Sequence, residues 1–442
     1  MMDLARRWVA QNYLLPHADR ILQRRIGNKL FQMREEASLP FMLRKANMTH
    51  SLFEQLSWAG REVPYYCELF KKANFKPEDV LSDIQAINSL PLLTKDIILE
   101  QGDRMLATIT METIRYSCKT GGSTGKKINV KYDIDAADWS SAVTLYARES
   151  IGGHLGAKEL HFSSDFPEVP NFKDKFREDV KCFIHNRTNV HSKAFGSSDL
   201  LSVWTKIKNC KPYLVHGHPS TMYALAQALN EYGINAKNII GVYESSGEHL
   251  SAKKRKVIKE TFDCKVIDRY GLAEFGVVAY QIDSKIEDLL VFENIVYPET
   301  VDGELALTAL KNKVMPLIRY CTGDRANVIE KANGYFLTEL SGRVHDVVEI
   351  EGERIPTHYI QDVLDHRVGG IVEFQIVLNS TQKPPKLRIC PTDLNALSSI
   401  EQKVKNYFPR GLEIEFVKQD QFIRIGDRNK FRYVVDASRT SL

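Results

Sequence analysis

Eight consecutive residues, Thr120-Gly121-Gly122-Ser123-Thr124-Gly125-Lys126-Lys127, constrain this chain more than any other stretch. Three glycines, three hydroxyl residues and two lysines suit the interior of neither a helix nor a strand. Glycine permits positive φ and close backbone approach. The N–H groups, hydroxyls and ammonium groups are all donors, so together they make a concave site for an anion, most simply a polyphosphate. The flanking Ile114-Arg115-Tyr116-Ser117-Cys118 and Ile128-Asn129-Val130-Lys131-Tyr132 read as short strands, which makes the loop a hairpin tip. The spacing argues against Gly-x-x-x-x-Gly-Lys-Ser/Thr opening a helix: two residues separate Gly122 from Gly125, three separate Gly121 from Gly125, and Lys127 stands where the Ser/Thr should be. On this stretch alone, an ordinary glycine-rich hairpin is the plain alternative.

A chain of 442 residues is too long for one small core, so two or more domains are expected. Residues 1–58 read as helical; the basic positions Arg6, Arg7, Arg20, Arg24, Arg25, Lys29 and Arg34 are read as a solvated helix face, with a membrane-surface helix as the alternative. Thr94 suits the N-cap of a helix from Lys95, and Asp133 to Gly152 reads as a helix. Strands are expected at Leu160–Phe162, Tyr213–Gly217, Asn238–Tyr243 and Lys265–Asp268, alternating with helices that begin near Pro219 and after Ser251. This is the rhythm of an α/β sheet, whose ligand groups gather at the carboxyl ends of strands. From Gly303 the alternation in Glu304–Thr308 and Leu317–Tyr320 reads as antiparallel strands of a small barrel. Beyond Gly342, strands at Val347–Ile350, Val372–Leu378, Lys386–Cys390 and Glu413–Val417 with helices at Thr357–Asp365 and Asn395–Tyr407 make a compact α+β unit of normal domain size.

A net charge of +4 without a long basic run argues against a nucleic-acid partner. Seven scattered cysteines without C-x-x-C spacing favour reduced thiols, and hence a cytoplasmic protein, over disulfides or structural zinc. No apolar run is long enough for a transmembrane segment, and the N-terminus lacks the apolar core of a signal peptide.

Further polar clusters follow the glycine loop: Ser245-Ser246-Gly247-Glu248, Tyr270-Gly271-Leu272-Ala273-Glu274, Arg319-Tyr320-Cys321-Thr322-Gly323-Asp324, Gly342-Arg343-Val344-His345-Asp346, and Lys430 near the end. Their order and spacing resemble the adenylate-forming superfamily of acyl-CoA ligases, peptide-synthetase adenylation domains and luciferases. Together with Pro64-Tyr65-Tyr66 and Leu90-Pro91-Leu92-Leu93-Thr94-Lys95-Asp96, they look closest to its phenylacetate–CoA ligase branch, including relatives in capsular polysaccharide gene clusters. The resemblance implies a large N-terminal ATP- and acyl-binding domain over 1–341, of β-sheets flanked by helices, with 1–58 as a helical extension. It implies a small mobile C-terminal α+β domain over 342–442, acting as a catalytic lid.

The resemblance also implies roles. Gly122, Ser123, Thr124, Gly125 and Lys126 match the loop that holds the β- and γ-phosphates of ATP and orients the α-phosphorus. Tyr270, with Gly271 beside it, matches the aromatic that stacks on adenine, and Ser246, Gly247 and Glu248 match the loop that walls it. Glu274 matches the Mg2+ ligand, with Thr124 near the same ion. Asp324 matches the carboxylate that accepts both ribose hydroxyls, and Arg343 the arginine that reaches ribose and phosphate. Asp346 matches the hinge on which the small domain swings. Lys430 resembles the lysine that bridges the substrate carboxylate and the α-phosphate, although Asn429 stands where the family usually has glycine.

The implied reaction has two steps. A small-molecule carboxylic acid attacks ATP to give an acyl-adenylate and pyrophosphate; a thiol, with CoA as one candidate, or an amine then displaces AMP. A role in surface polysaccharide biosynthesis, a CoA ligase of aryl or other small acids, and a non-catalytic nucleotide-binding scaffold are the functional readings. His161 and His218 are candidate substrate contacts, with satisfied structural histidines as the alternative. No cysteine follows Glu274 before Cys321, so no zinc is expected there. A homodimer is compatible with all of this.

Overall fold

The computed structural model describes residues 2–108, 116–119, 128–163, 172–191, 197–343, 347–350, 353–356, 360, 363–378, 384–408, 411–425 and 430–436. The chain condenses into two compact units, Met1–Ala157 with Ile267–Leu340, and Lys158–Val266 with Ser341–Leu442.

In the first unit the N-terminal stretch is helical, as its composition suggests: Met2–Val9, a π-helical turn Ala10–Leu14, Leu15–Ile21, Ile26–Ser38 and Phe41–Glu62. Phe41–Glu62 buries Met48, Leu52, Leu56 and Ala59 at helical spacing. Thr94 caps the helix Lys95–Gln101 by accepting from the amide of Ile97. The glycine loop itself lies outside the described residues, but its flanks pair as a hairpin: Tyr116–Lys119 runs antiparallel to Asn129–Tyr132, with Lys119 opposite Asn129. Asp133 caps the helix that follows, Ile134–Ser150, through the amide of Ala136.

The strands after Gly276 are antiparallel. Asp302 and Gly303, both at positive φ, turn the hairpin of Val296–Val301 and Glu304–Ala309. Among the described residues the pairings run in one open order, from this hairpin through Tyr320–Lys331, Gly334–Arg343, Leu289–Val291 and Gly276–Tyr280 to Lys265–Leu272. Glu304–Ala309 and Tyr320–Lys331 among them are the antiparallel strands expected after Gly303.

The second unit holds a parallel array in the order Val242–Ser246, Leu214–Gly217, Glu159–Ser163, Arg187–His191. Leu160, Val215 and Tyr243 from its strands meet Trp204, Ile207, Leu225 and Phe262 from its helices in one buried core. Residues after 341 form a second core, in which Phe374, Ile376, Leu387 and Ile389 pack with Ile400 and Val404 of Leu397–Tyr407. Their mixed sheet has the order Glu413–Phe416, Lys386–Pro391, Ile371–Leu378, Val434–Asp436. The helix expected over Thr357–Asp365 lies largely outside the described residues, and Val363–Val368 is π-helical.

Two strands depart from expectation in the same way. The strand expected over Asn238–Tyr243 is Val242–Ser246, because Asn238 sits at φ 60° and the polar Glu244 is fully buried within the sheet. The strand expected to end at Asp268 continues to Leu272, carrying Tyr270 with it.

Burial pushes three thiols well above the ordinary range: Cys264 and Cys321 to about 12, and Cys390 to about 11. The thiolate is the reactive species. These three cysteines are therefore expected to resist iodoacetamide at pH 8 in the folded protein and to label on unfolding, as read by peptide mass spectrometry. Rapid native labelling of Cys264 would contradict the packing described.

Candidate active site

The first unit brings two of the sequence clusters together. Strand Lys265–Leu272 carries Tyr270, and strand Tyr320–Lys331 carries Asp324. The Tyr270 hydroxyl donates to Asp324 Oδ2 at 2.8 Å. Gly323, at φ 79°, turns the backbone just before Asp324, and Asp324's own amide donates to Thr322 Oγ1 at 3.1 Å. Gly271 has no room for a side chain: a Cβ there would stand 2.5 Å from the carbonyl oxygen of Gly276. That close approach lets the segment from Gly271 to Gly276 double back tightly and present Glu274.

Glu274 Oε1 accepts from the Tyr320 hydroxyl at 2.8 Å. Tyr320 is completely buried, so the carboxylate is aimed by a rigid partner. In the sequence Tyr320 stands in a polar cluster with no role of its own; the nearby Thr322 and Asp324 in the same strand were the available signal. Among the described residues no group of three or more His, Cys, Asp or Glu is gathered as for a metal ion. A divalent cation at this place would rest on the carboxylate oxygens of Glu274, with phosphate oxygens and waters completing its shell. That oxygen donor set fits Mg2+.

Glu274 also lines a cavity of about 280 Å3 whose walls include Tyr116, Tyr132, Trp139, Phe275 and Lys311. Tyr116 and Tyr132 belong to the two strands that hold the glycine loop, so the cavity sits at the root of that hairpin. Burial pulls the Lys311 ammonium pKa down, and its Nζ lies 4.8 Å from the centre of the Trp139 ring. Lys126, Gly122, Ser123, Thr124, Gly125 and Asp346 lie outside the described residues.

The remaining candidates lie in the second unit. His161, His216 and Glu244 stand in register across three parallel strands. His161 Nε2 is 2.9 Å from Glu159 Oε2, and His216 Nδ1 is 2.7 Å from Glu244 Oε2. The two imidazole rings are 4.9 Å apart. His218 Nδ1 faces the carbonyl of Ser246 at 2.9 Å. The structure therefore holds both histidine candidates by protein partners, and adds His216, which the sequence left unassigned.

Ser246 ends its strand and Gly247 follows at φ 82°. Glu248 braces the start of a neighbouring helix. Its Oε2 accepts from the amide of Ser220 at 3.1 Å, at the N-terminus of helix Pro219–Glu231. Burial pushes its carboxyl upward, but His218, Lys254 and Ser220 outweigh that and hold it below the ordinary value.

Lys254, in the helix capped by Ser251, is buried beside Glu373 at 2.7 Å and donates to the Tyr433 hydroxyl at 3.1 Å. Its Nζ also lies over the ring of Phe431. Burial alone would lower its pKa; Glu373, Tyr433 and Glu248 hold it above the ordinary value. Lys430 precedes Phe431 in a two-residue strand, opposite Ile425. Arg343 is the last residue of strand Gly334–Arg343.

No family model matches the chain. Phenylacetate–coenzyme A ligase of Pseudomonas putida is 23% identical over 339 residues, 70% of this chain and 74% of that enzyme. Indoleacetate–lysine synthetase of Pseudomonas savastanoi is 23% identical over 312 residues, 67% of this chain and 74% of that enzyme. Among solved structures, 2-hydroxyisobutyryl-CoA ligase in the postadenylation state superposes with a TM-score of 0.70 over 91% of both chains, at 19% identity. The chain is similar to the phenylacetate–coenzyme A ligases and shares the fold of 2-hydroxyisobutyryl-CoA ligase.

Proposed function

We propose that this protein is an AMP-forming ligase that activates a small carboxylic acid as an acyl-adenylate, releases pyrophosphate and passes the acyl group to the thiol of CoA. The observation that carries this reading is the pair of tyrosine–carboxylate contacts, Tyr270 with Asp324 and Tyr320 with Glu274, on neighbouring parts of one unit. A scaffold has no use for two carboxylates aimed by buried hydroxyls, whereas a nucleotide site needs both.

The roles follow from the chemistry of each group. Asp324 presents carboxylate oxygens to the vicinal ribose hydroxyls, and Tyr270, stacked on adenine, orients it through Oδ2. Ser246 and Gly247 wall the base through their backbone. The glycine loop, with Lys126, gathers the β- and γ-phosphates as donors that need no reorganisation when charge moves. Glu274 and Thr124 would hold Mg2+, which supplies charge neutralisation on the phosphates when bound. Arg343 reaches ribose and phosphate, and Lys430 lies between the attacking carboxylate and the α-phosphate. The acid's own carboxylate is the nucleophile of the first step, so no Ser-His-Asp arrangement is required. Asp346 serves as the hinge between the half-reactions.

The acceptor is read as CoA because the phenylacetate–coenzyme A ligases and 2-hydroxyisobutyryl-CoA ligase share that acceptor by name. The similarity to indoleacetate–lysine synthetase supports an amine acceptor as the second reading. Participation in surface polysaccharide assembly is the finer proposal, and it requires a sugar-derived or other polar acid. His161 and His218 are then the candidate contacts for a polar acyl substituent.

The test is pyrophosphate exchange into ATP across aryl, hydroxy, amino, sugar and fatty acids, followed by CoA or amines added to the acid that responds. No exchange with any acid, while ATP still binds, would favour the scaffold reading. Within this test, Tyr270→Phe is expected to raise the KM for ATP about tenfold, because a hydrogen bond to a charged group contributes roughly 1.5–3 kcal/mol. The Tm should fall by a few degrees only, since the lost bond is one contact of a large chain. An unchanged KM would remove Tyr270 and Asp324 from the nucleotide site.

A further inference from the structure

We propose that the N-terminal helical segment is a peripheral docking face for an anionic lipid bilayer. The proposal is independent of the catalytic reading. It begins with how the segment divides its charges. Residues 6–34 hold seven Lys or Arg and one acid, Asp19, a net of +6 (7 − 1) against +4 for the whole chain, so the rest of the chain sums to −2. Three of the cations fasten the segment to helix Ile134–Ser150, Arg24 and Lys29 from half-buried positions and Arg34 from the surface. Arg24 pairs with Asp138, Lys29 pairs with Asp135 at 2.7 Å, and Arg34 with Glu149 at 2.6 Å. Asp19 is also used inward, accepting from the amide of Gly27 at 2.8 Å. Arg7, Arg20 and Arg25 are exposed.

Beside these arginines runs an apolar and aromatic stripe. Trp8 is 57% exposed, Tyr13 49% and Ile21 78%. The π-helical turn Ala10–Leu14 explains why they align. It adds one residue to a turn, so the step from Trp8 to Tyr13 is five residues and the next steps, to His17 and Ile21, are four. Trp8 and Tyr13 have ring centres 5.2 Å apart, and Tyr13 and His17 6.4 Å. The opposite face, with Ala10 and Leu15, is buried. Nine of the seventeen large apolar side chains exposed among the described residues fall within residues 8–43, about a tenth of the chain. That concentration is too high for scattered surface residues.

Tryptophan and tyrosine at the boundary, isoleucine and leucine beyond them, and arginines alongside are the composition of a helix lying in a bilayer interface. The charge selects the occupant. A second copy of this chain would place basic faces against each other, whereas anionic headgroups complement them. No helix among the described residues is long and apolar enough to cross a membrane, so the contact is peripheral.

The full-length protein should be sedimented with vesicles of phosphatidylcholine alone and of phosphatidylcholine mixed with phosphatidylglycerol. Most of it is expected to pellet with the phosphatidylglycerol vesicles at low salt, little with phosphatidylcholine alone, and severalfold less when salt is raised. The double variant Trp8→Ser/Ile21→Ser, which changes exposed residues only, is expected to lose this binding with its Tm unchanged. Arg7→Glu/Arg20→Glu is expected to lose it as well. Absence of binding to phosphatidylglycerol vesicles, or equal binding by the variants, overturns the proposal. So does light scattering that shows a dimer in the native protein and a monomer in Trp8→Ser/Ile21→Ser, since the face would then belong to a second copy.

Discussion

Lys430→Ala is expected to slow ATP–pyrophosphate exchange by about 10²–10³-fold while ATP affinity stays within a few fold. Attack of a carboxylate on the α-phosphorus brings two anions together, and a preorganised cation between them stabilises the charge that develops; removing one such donor costs about 2.7–4 kcal/mol at the transition state. The backbone of Lys430 pairs with Ile425, and Phe431 beside it packs against Phe422 and Tyr433, with the Lys254 ammonium above the ring. A firmly held neighbour keeps the lysine's backbone in place. Arg428→Ala and Arg432→Ala are the controls, and each should retain exchange within a few fold. If Arg428→Ala or Arg432→Ala abolishes exchange and Lys430→Ala does not, the bridging cation has been assigned to the wrong residue. The second half-reaction, started from synthetic acyl-adenylate, should survive Lys430→Ala far better than the first.

Arg319→Met is expected to destabilise the protein by about 3–5 kcal/mol, because it leaves a buried carboxylate without its cation. Arg319 is buried at φ 51° and reaches Glu299 at 3.0 Å, Asn88 Oδ1 at 2.9 Å and the carbonyls of Asn88 and Leu90. Its own carbonyl accepts from the amide of Leu93 at 2.9 Å. One side chain thus ties the Leu90-Pro91-Leu92-Leu93 segment to the strand that begins at Tyr320, and Tyr320 aims Glu274. Pyrophosphate exchange should therefore fall along with stability.

Burial pushes the Glu299 carboxyl above its ordinary value, and Arg319 pulls part of that back. Without Arg319 the folded-state pKa rises further above the unfolded one. The folded state then favours the protonated form, and the penalty grows as pH climbs through the folded pKa. The deficit of Arg319→Met should accordingly shrink as the pH is lowered from 8 towards 5, in urea titrations. Arg319→Met/Glu299→Leu should recover most of the loss, since an apolar pair of similar volume is often as stable as a buried ion pair. A single variant within about 1 kcal/mol of the native protein would refute the argument.

Local chemistry was legible from the residues. Thr94, Asp133 and Ser251 cap the helices that follow them because a short oxygen-bearing side chain reaches an amide two or three positions on. The ladder around the glycine loop could be read from alternation and composition, since both strands flank one turn. The order of the polar clusters pointed to the fold, which the similarity to 2-hydroxyisobutyryl-CoA ligase bears out. The strand runs on through Glu244-Ser245-Ser246 past its expected end at Tyr243, because burial of Glu244 against His216 is a cross-strand event that leaves no local signal.

The sequence by itself determined the elements, their caps, the hairpin that carries the donor-rich loop, and the segregation of basic residues at the N-terminus. Each depends on neighbours a few positions apart, where propensity and periodicity act. Only the tertiary structure decided which partner each functional carboxylate has. Tyr270 and Asp324 are 54 positions apart, Tyr320 and Glu274 are 46, and Arg319 and Asn88 are 231. It also paired Arg24, Lys29 and Arg34 with helix Ile134–Ser150 and left Trp8, Tyr13 and Ile21 of the preceding helices exposed. That sorting comes from helix Ile26–Ser38 packing beside helix Ile134–Ser150, more than a hundred positions away, and a list of charges cannot encode which partner the fold will bring.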